Sequence, residues 1–144
     1  MATGSRNDPY RVYSFLVEID GITRAGFREA SGLDASNDPI EYREGNEPRT
    51  VRKLPGLTKY SNITLKWGMT DDPELWNWRK GVIDGKPIRK SGSIILLDDT
   101  GQEKVRWNIR EGWPSKWTGP SFNATGNEVA VETLEIAHEG VVRP

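Results

Sequence analysis

The chain has 144 residues, 35% hydrophobic and 28% charged, with 20 Lys and Arg against 21 Asp and Glu for a formal net charge of -1. That length fits a single domain, residues 1–144, large enough for a real core but with a modest apolar content to build it from. The balanced charge argues against capture of nucleic acid by clustered cations, and the absence of cysteine excludes disulfides, thiolate nucleophiles and cysteine-held zinc.

The opening MATGSRNDPY lacks the apolar core of a secretion signal, and no apolar run approaches the ~20 residues that a membrane helix requires. Synthesis in the cytoplasm and no membrane span are therefore expected. The glycosylation sequons at Asn62-Ile63-Thr64 and Asn123-Ala124-Thr125 are then read as coincidence.

Arg11 to Ile19 alternates, with Tyr13, Phe15, Val17 and Ile19 on one side, and ends at Asp20-Gly21, which predicts a strand and a hairpin. Ile22 to Ser31 reads as a weaker return strand closed by Gly32. The next stretch, about residues 38–59, does not alternate. From Ile40 to Pro55 it sets Tyr42, Arg43, Arg49, Arg52 and Lys53 against Glu41, Glu44 and Glu47. Pro48, Pro55, Gly45 and Gly56 interrupt any regular ladder, so a functional or disordered extended arm is expected.

Asn62 to Met69 gives the cleanest strand pattern, with Ile63, Leu65, Trp67 and Met69 on one side and Asn62, Thr64, Lys66 and Gly68 on the other. Asp71-Asp72-Pro73-Glu74 then reads as a helix start, Leu75, Trp78 and Val82 recur at helical spacing, and Gly85 ends the only helix expected. Trp76 and Trp78 could form a ligand platform there, but core or subunit packing is the favoured reading. Gly92 to Leu97 is apolar on both faces, as a covered strand would be. Asp98 to Gly101 turns the chain, and Lys104 to Arg110 alternates, with Val105, Trp107 and Ile109 inward. The acidic cluster Asp98, Asp99 and Glu103 lacks the spacing of a calcium loop.

Glu111 to Gly126, rich in Gly, Pro, Ser and Trp, reads as a connection crossing the fold. The last strand is placed at Glu128 to His138. Its apolar phase shifts between Val129/Val131 and Leu134/Ile136, which predicts a bulge, a twist or burial on both sides. The tail VVRP shows no structural signal. Several strands at hairpin spacing with one short helix give a mainly β chain, an antiparallel sandwich or partly closed barrel.

Enzyme chemistry is not expected. The only histidine, His138, has no nucleophile or metal-binding partner in sequence, the Glu132 and Glu135 pair has no distinguishing context, and no phosphate-cradling glycine loop precedes a helix. No cofactor or metal is implied. The alternative class is a carbohydrate-binding module, since six Trp and four Tyr could stack on sugars, with Trp76, Trp113 and Trp117 as platform residues.

Taken in order, DPYRVYSFLVEIDGI (Asp8 to Ile22), AGFREASGL (Ala25 to Leu33), IEYREG (Ile40 to Gly45), RKLPGLTKYSNITLKWGMT (Arg52 to Thr70), LWNW (Leu75 to Trp78), GSIILLDDTG (Gly92 to Gly101) and the run from Trp107 to Gly140 resemble the tail tube proteins of contractile phage tails and bacterial contractile injection systems. The resemblance spans nearly the whole chain. It implies a fold like that of the hemolysin-coregulated protein of type VI secretion. It also implies homo-hexameric rings whose sheets join into a continuous inner β-barrel, stacked into a tube within a contractile sheath. Sheath, baseplate or hub, and tail terminator proteins would be its partners, with DNA or effector protein as cargo in the lumen and no sequence-specific nucleic-acid binding. Function would lie in the assembled tail or particle. Trp117, where a tyrosine would be as natural, and Glu47-Pro48 are individual to this chain.

Two surfaces follow as expectations. The polar sides of the strands at Asn62–Gly68 and Lys104–Arg110 offer Thr64, Lys66, Arg106 and Asn108 as lumen candidates. The arm, with Ile40, Tyr42, Arg43, Arg49, Arg52, Lys53 and Leu54 as contact residues, is expected to connect one ring to the next, because an arm of this length is costly to order unless a neighbour holds it.

Overall fold

The computed structural model describes residues 14–24, 26–43, 45, 51–126 and 129–144. Its strands are β1 (Phe15–Ile19), β2 (Ile22–Arg24), β3 (Phe27–Ser31), β4 (Ala35–Tyr42), β5 (Arg52–Tyr60), β6 (Ile63–Gly68), β7 (Lys90–Leu97), β8 (Glu103–Thr118), β9 (Val131–Ala137) and β10 (Gly140–Val142), with one helix, α1 (Glu74–Ile83). All pairings are antiparallel. Eight strands form one sheet along the path β2-β1-β7-β8-β9-β6-β3, with β10 beside β8, while β4 and β5 form a separate two-stranded ribbon.

The large sheet folds over into two layers because β8 belongs to both. Its first part pairs with β7 as far as Gly112, and from Trp113 onward it pairs with β9. At the changeover Glu111 has φ 52, a left-handed conformation unusual for a side-chain-bearing residue. A Cβ on the following Gly112 would stand 3.0 Å from Ile136 Cγ2, so the layers close here on the space glycine leaves. The expected connection from Glu111 to Gly126 is thus half strand. Its buried Pro114 sits at a bulge between Pro114 and Lys116, the irregularity that tolerates a residue without an N–H. Among the described residues the sheet stays open, with β2 and β3 at its ends, so the sandwich reading holds and no barrel closes.

Between the layers, Val17, Ile19, Ile94 and Ile109 meet Ile63, Leu65, Trp67, Leu134 and Ile136. Ile63, Leu65 and Trp67 are buried as the alternation requires, but β6 ends at Gly68, and Met69, expected on the same side, is 55% exposed. The turn at Asp20-Gly21 forms the expected hairpin and is tied to β7, where Ser91 N donates to Asp20 Oδ2 at 3.1 Å. The return strand does not run from Ile22 to Ser31. It splits at Gly26 (φ 92), and its second half, β3, crosses to pair with β6 in the other layer.

Helix α1 starts one residue later than expected: its cap position is Pro73, which offers no capping side chain, and Asp72 Oδ1 accepts from Glu74 N at 3.0 Å just ahead of it. It ends in a Schellman arrangement around Gly85 (φ 80), with Lys86 N donating to Gly81 O at 2.8 Å and Gly85 N to Val82 O at 3.1 Å. Leu75 and Trp78 enter the core, and the Trp78 indole donates to Ile88 O at 2.7 Å. The β7–β8 hairpin also forms, and its turn is organised by Asp98.

In β9 the phase does not shift. Glu132, Leu134 and Ile136 point inward together, Val129 lies outside the strand and is 69% exposed, and the bulge belongs to β8. A carboxylate at an inward position disguised the alternation. The tail is not structureless either, since Gly140–Val142 pairs with Asn108–Arg110.

Candidate functional site

Three surfaces stand out from this frame. The first is the ribbon. The arm was expected to lack a regular ladder, yet Ile40 pairs with Leu54, Glu41 with Lys53 and Tyr42 with Arg52. Two prolines, Pro39 and Pro55, face each other. A two-stranded ribbon tolerates them because both its strands are edges, where a missing donor interrupts no further strand. The register shifts between Asn37 and Pro39, where Asn37 Nδ2 donates to Gly56 O at 3.0 Å and to Thr58 Oγ1 at 2.9 Å. A Cβ on Gly56 would lie 2.5 Å from Asp38 O, so this crossing admits only glycine. Ile40, Tyr42, Arg52 and Leu54 share one face of the ribbon, Lys53 lies on the other, and Arg43 follows β4. Arg49 lies outside the described residues. Nearly every residue of the ribbon is exposed, including Ile40 at 53% and Leu57 at 83%.

The second surface is the outer face of β1, β7 and β8. Here Ser93 Oγ donates to Asn108 Oδ1 at 2.7 Å, and Arg106 reaches Glu103 at 2.7 Å and Glu18 at 3.4 Å. Hydrogen bonding to Arg106 holds the Glu103 carboxyl below the usual range, and Glu103 in turn raises the Arg106 guanidinium. Glu18, Ser93, Arg106 and Asn108 line a polar groove of about 570 Å³. The third surface is the outer face of β6, β9 and β3, where Lys66 approaches Glu29 at 3.7 Å and Thr64 lies opposite Glu135. The four lumen candidates are therefore brought together only as two pairs on opposite outer faces.

Around α1 the tryptophans are not a flat platform. Phe27, Trp67, Trp117 and Trp76 form an edge-to-face series with centroids 5.7, 5.3 and 5.2 Å apart, leading from the core to the surface. His138 is a structural contact, with Nε2 2.8 Å from Ser61 O and its ring 5.8 Å from Tyr60. Among the described residues no three His, Asp or Glu side chains gather as a metal site, and no helix is long and apolar enough to cross a membrane.

The model of the T4-like virus tail tube protein gp19 family matches residues 11–142. The chain belongs to that family. This tail tube protein is 33% identical to a chain in the extended sheath–tube complex of the PVC extracellular contractile injection system, over 94% of this chain and 91% of that one, with a TM-score of 0.85. It is 30% identical to a chain in the tube-terminating cap of the anti-feeding prophage, over 99% and 95% of the two chains, with a TM-score of 0.89. Hcp1 from Flavobacterium johnsoniae, at 17% identity and a TM-score of 0.56 over 91% and 94%, shares the fold. No curated protein sequence matches. The protein is a structural tube component of contractile injection systems and phage-tail-like particles, and nothing in these likenesses supports the sugar-binding alternative.

Sequence reasoning set about residues 38–59 apart from the alternating strands but missed their ribbon form and the continuation of β8 past Glu111. The pairing of Ile40 with Leu54 could have been found by reading Pro55 as an edge marker rather than a ladder breaker.

Proposed function

We propose that this tail tube protein forms hexameric rings, joined edge to edge through β2 and β3, and that the rings stack into a hollow tube enclosed by a sheath and capped by baseplate and terminator proteins. Sheath contraction drives the tube through a target envelope, and DNA or effector protein passes through its lumen. The protein does no chemistry of its own. The observation that carries this reading is the family match over residues 11–142, together with a 33% identical chain in a sheath–tube complex. The open sheet supports it, since the outer edges of β2 and β3 have no partner strand among the described residues.

The ribbon is the ring-to-ring connector. An isolated two-stranded ribbon is marginal in water, and this one exposes Ile40, Tyr42, Val51, Leu54 and Leu57, a composition suited to being held by a neighbour. Since stacking repeats one heterologous contact without closure, weakening it limits tube length and spares the rings. Replacing Tyr42, Arg43, Arg49 and Arg52 by alanine or serine is expected to leave the circular dichroism spectrum and the rings intact while abolishing tubes. Tubes of normal length and normal resistance to dissociation would make the ribbon a passive loop.

One channel can take only one of the two polar faces, and the groove holding Arg106 and Asn108 is the better lining. Arg106 there is paired with Glu103 and Glu18, and the lining sets Glu18 and Asp20 against Arg106 and Arg110, a balance that leaves little net attraction for cargo. Thr64 and Lys66 then face the sheath. Cysteines placed at Arg106 and Asn108 should react with a small maleimide but resist a bulky one in assembled tubes. Equal labelling there, with protection at Thr64 and Lys66, would reverse the assignment.

A further inference from the structure

A ring contact is heterologous, so one surface of each subunit meets a different surface of the next. Both strand edges named above, β2 and β3, lie on one side of the molecule. Only residues 25 and 26 separate them in the chain, so the end of β2 and the start of β3 are at most about 11 Å apart, close to the roughly 10 Å between two stacked sheets. The surface that receives this side has to lie elsewhere.

The layers supply it. Since β8 changes layers after Gly112, one layer holds β2, β1, β7, the first part of β8 and β10, and the other holds the far part of β8, β9, β6 and β3. In the second layer the far part of β8 is bordered by α1, whose Arg79 Nη1 donates to Pro114 O at 3.1 Å. In the first layer β10 pairs with Asn108–Arg110 of β8 and has no strand on its other side among the described residues. It is therefore the free edge across the layer from β2. Its sequence, Gly-Val-Val, has no charge or proline to blunt pairing, and Val142 is 49% exposed.

The two edges match in length, row and sense. Each strand is three residues long. Both contribute to one cross-strand row, in which Thr23 stands opposite Glu18, Glu18 opposite Ser93, Ser93 opposite Asn108 and Asn108 opposite Val142. Every pairing between them is antiparallel, so β2, β7 and β10 run one way and β1 and β8 the other. Rotation about a tube axis leaves each strand's sense along that axis unchanged, so a β10 edge brought to a neighbour's β2 edge meets it parallel, with the evenly spaced, slanted bonds of that pairing. Ser93 and Asn108 of the row line the groove assigned to the lumen, and joining β10 to β2 carries that wall from subunit to subunit without a gap.

We propose that β10 of one subunit pairs in parallel with β2 of its neighbour in the same ring, with β3 flanking the joint in the other layer. The proposal rests on the ring and lumen readings above and adds the strand that completes the joint.

The chain has no cysteine, so introduced thiols report the joint cleanly. Rings carrying Thr23→Cys together with Val142→Cys are treated with a short flexible bis-maleimide and resolved under denaturing conditions. A ladder of covalent species ending at the size of one closed ring is expected, from isolated rings as well as from tubes, with no ladder from either single variant. Rings that form without the ladder overturn the proposal and leave the ring reading standing. Dimers from Val142→Cys alone would set β10 against its own copy, and linkage of Val142→Cys to Ser31→Cys on β3 in place of Thr23→Cys would set it against the other layer. Each of these results overturns the proposal.

The unmodified protein gives a second measurement that does not depend on the variants assembling. Amide hydrogen exchange at residues 22–24 and 140–142 should slow together, by about tenfold or more, when subunits close into rings. Slowing at β2 with β10 unchanged overturns the proposal. If no rings form at all, the ring reading fails and the joint fails with it.

Discussion

Individual side chains in this subunit divide into those that hold the monomer and those that wait for a neighbour. Leu134, fully buried opposite Leu65 on β6 and Trp117 on β8, belongs to the first group. Leu134→Ala should cost about 2–5 kcal/mol, read as a lower denaturation midpoint with an unchanged denaturant slope. Asp98 holds the β7–β8 turn by accepting from the Thr100 hydroxyl at 2.7 Å and the Gln102 amide at 2.8 Å, and these bonds lower its pKa below the ordinary 3.8. A depressed carboxyl contributes stability above its unfolded pKa and loses it as pH falls through the folded value. The stability gap between the wild type and Asp98→Asn should therefore be constant above about pH 5 and close as the pH drops below the ordinary value. A gap that persists in strong acid would assign the turn to neutral hydrogen bonding alone.

Among the elements, the ribbon and β8 decide what the fold can do. The ribbon hinges on Gly56, where an added Cβ would meet Asp38 O at 2.5 Å. Gly56→Ala should distort the ribbon without touching the core, leaving the melting transition near wild type and shortening tubes. Long tubes from Gly56→Ala would count against the proposed role of the ribbon as connector. The elements legible in the sequence were β1, β6, the first part of β8 and α1, where a single apolar side imprints its period on the chain, and β7, whose unbroken apolar run matches its burial on both faces. The ribbon was illegible as a sheet because neither face is buried, so no alternation exists to read. The far half of β8 was hidden by Pro114 and Gly112, residues placed there by a bulge and a close approach of layers. In β9, Glu132 broke the apolar phase at the position where it lines a cleft. The candidate contact residues were legible by composition, but their sidedness, with Tyr42 and Arg52 on one face and Lys53 on the other, needed the register.

At the scale of the whole molecule, an open sheet, an exposed ribbon and a set of surface hydrophobics are liabilities in a monomer and joints in a polymer. The modest apolar content is consistent with a subunit that completes its burial against copies of itself. Membership of the tail tube family makes that the natural reading of each exposed edge. The most direct test is electron microscopy of the purified chain at high concentration, alone and with baseplate added. Six-fold rings and hollow tubes that lengthen from the baseplate are the predicted result; a sharp monomer by light scattering, with neither rings nor tube growth in the images, would contradict it.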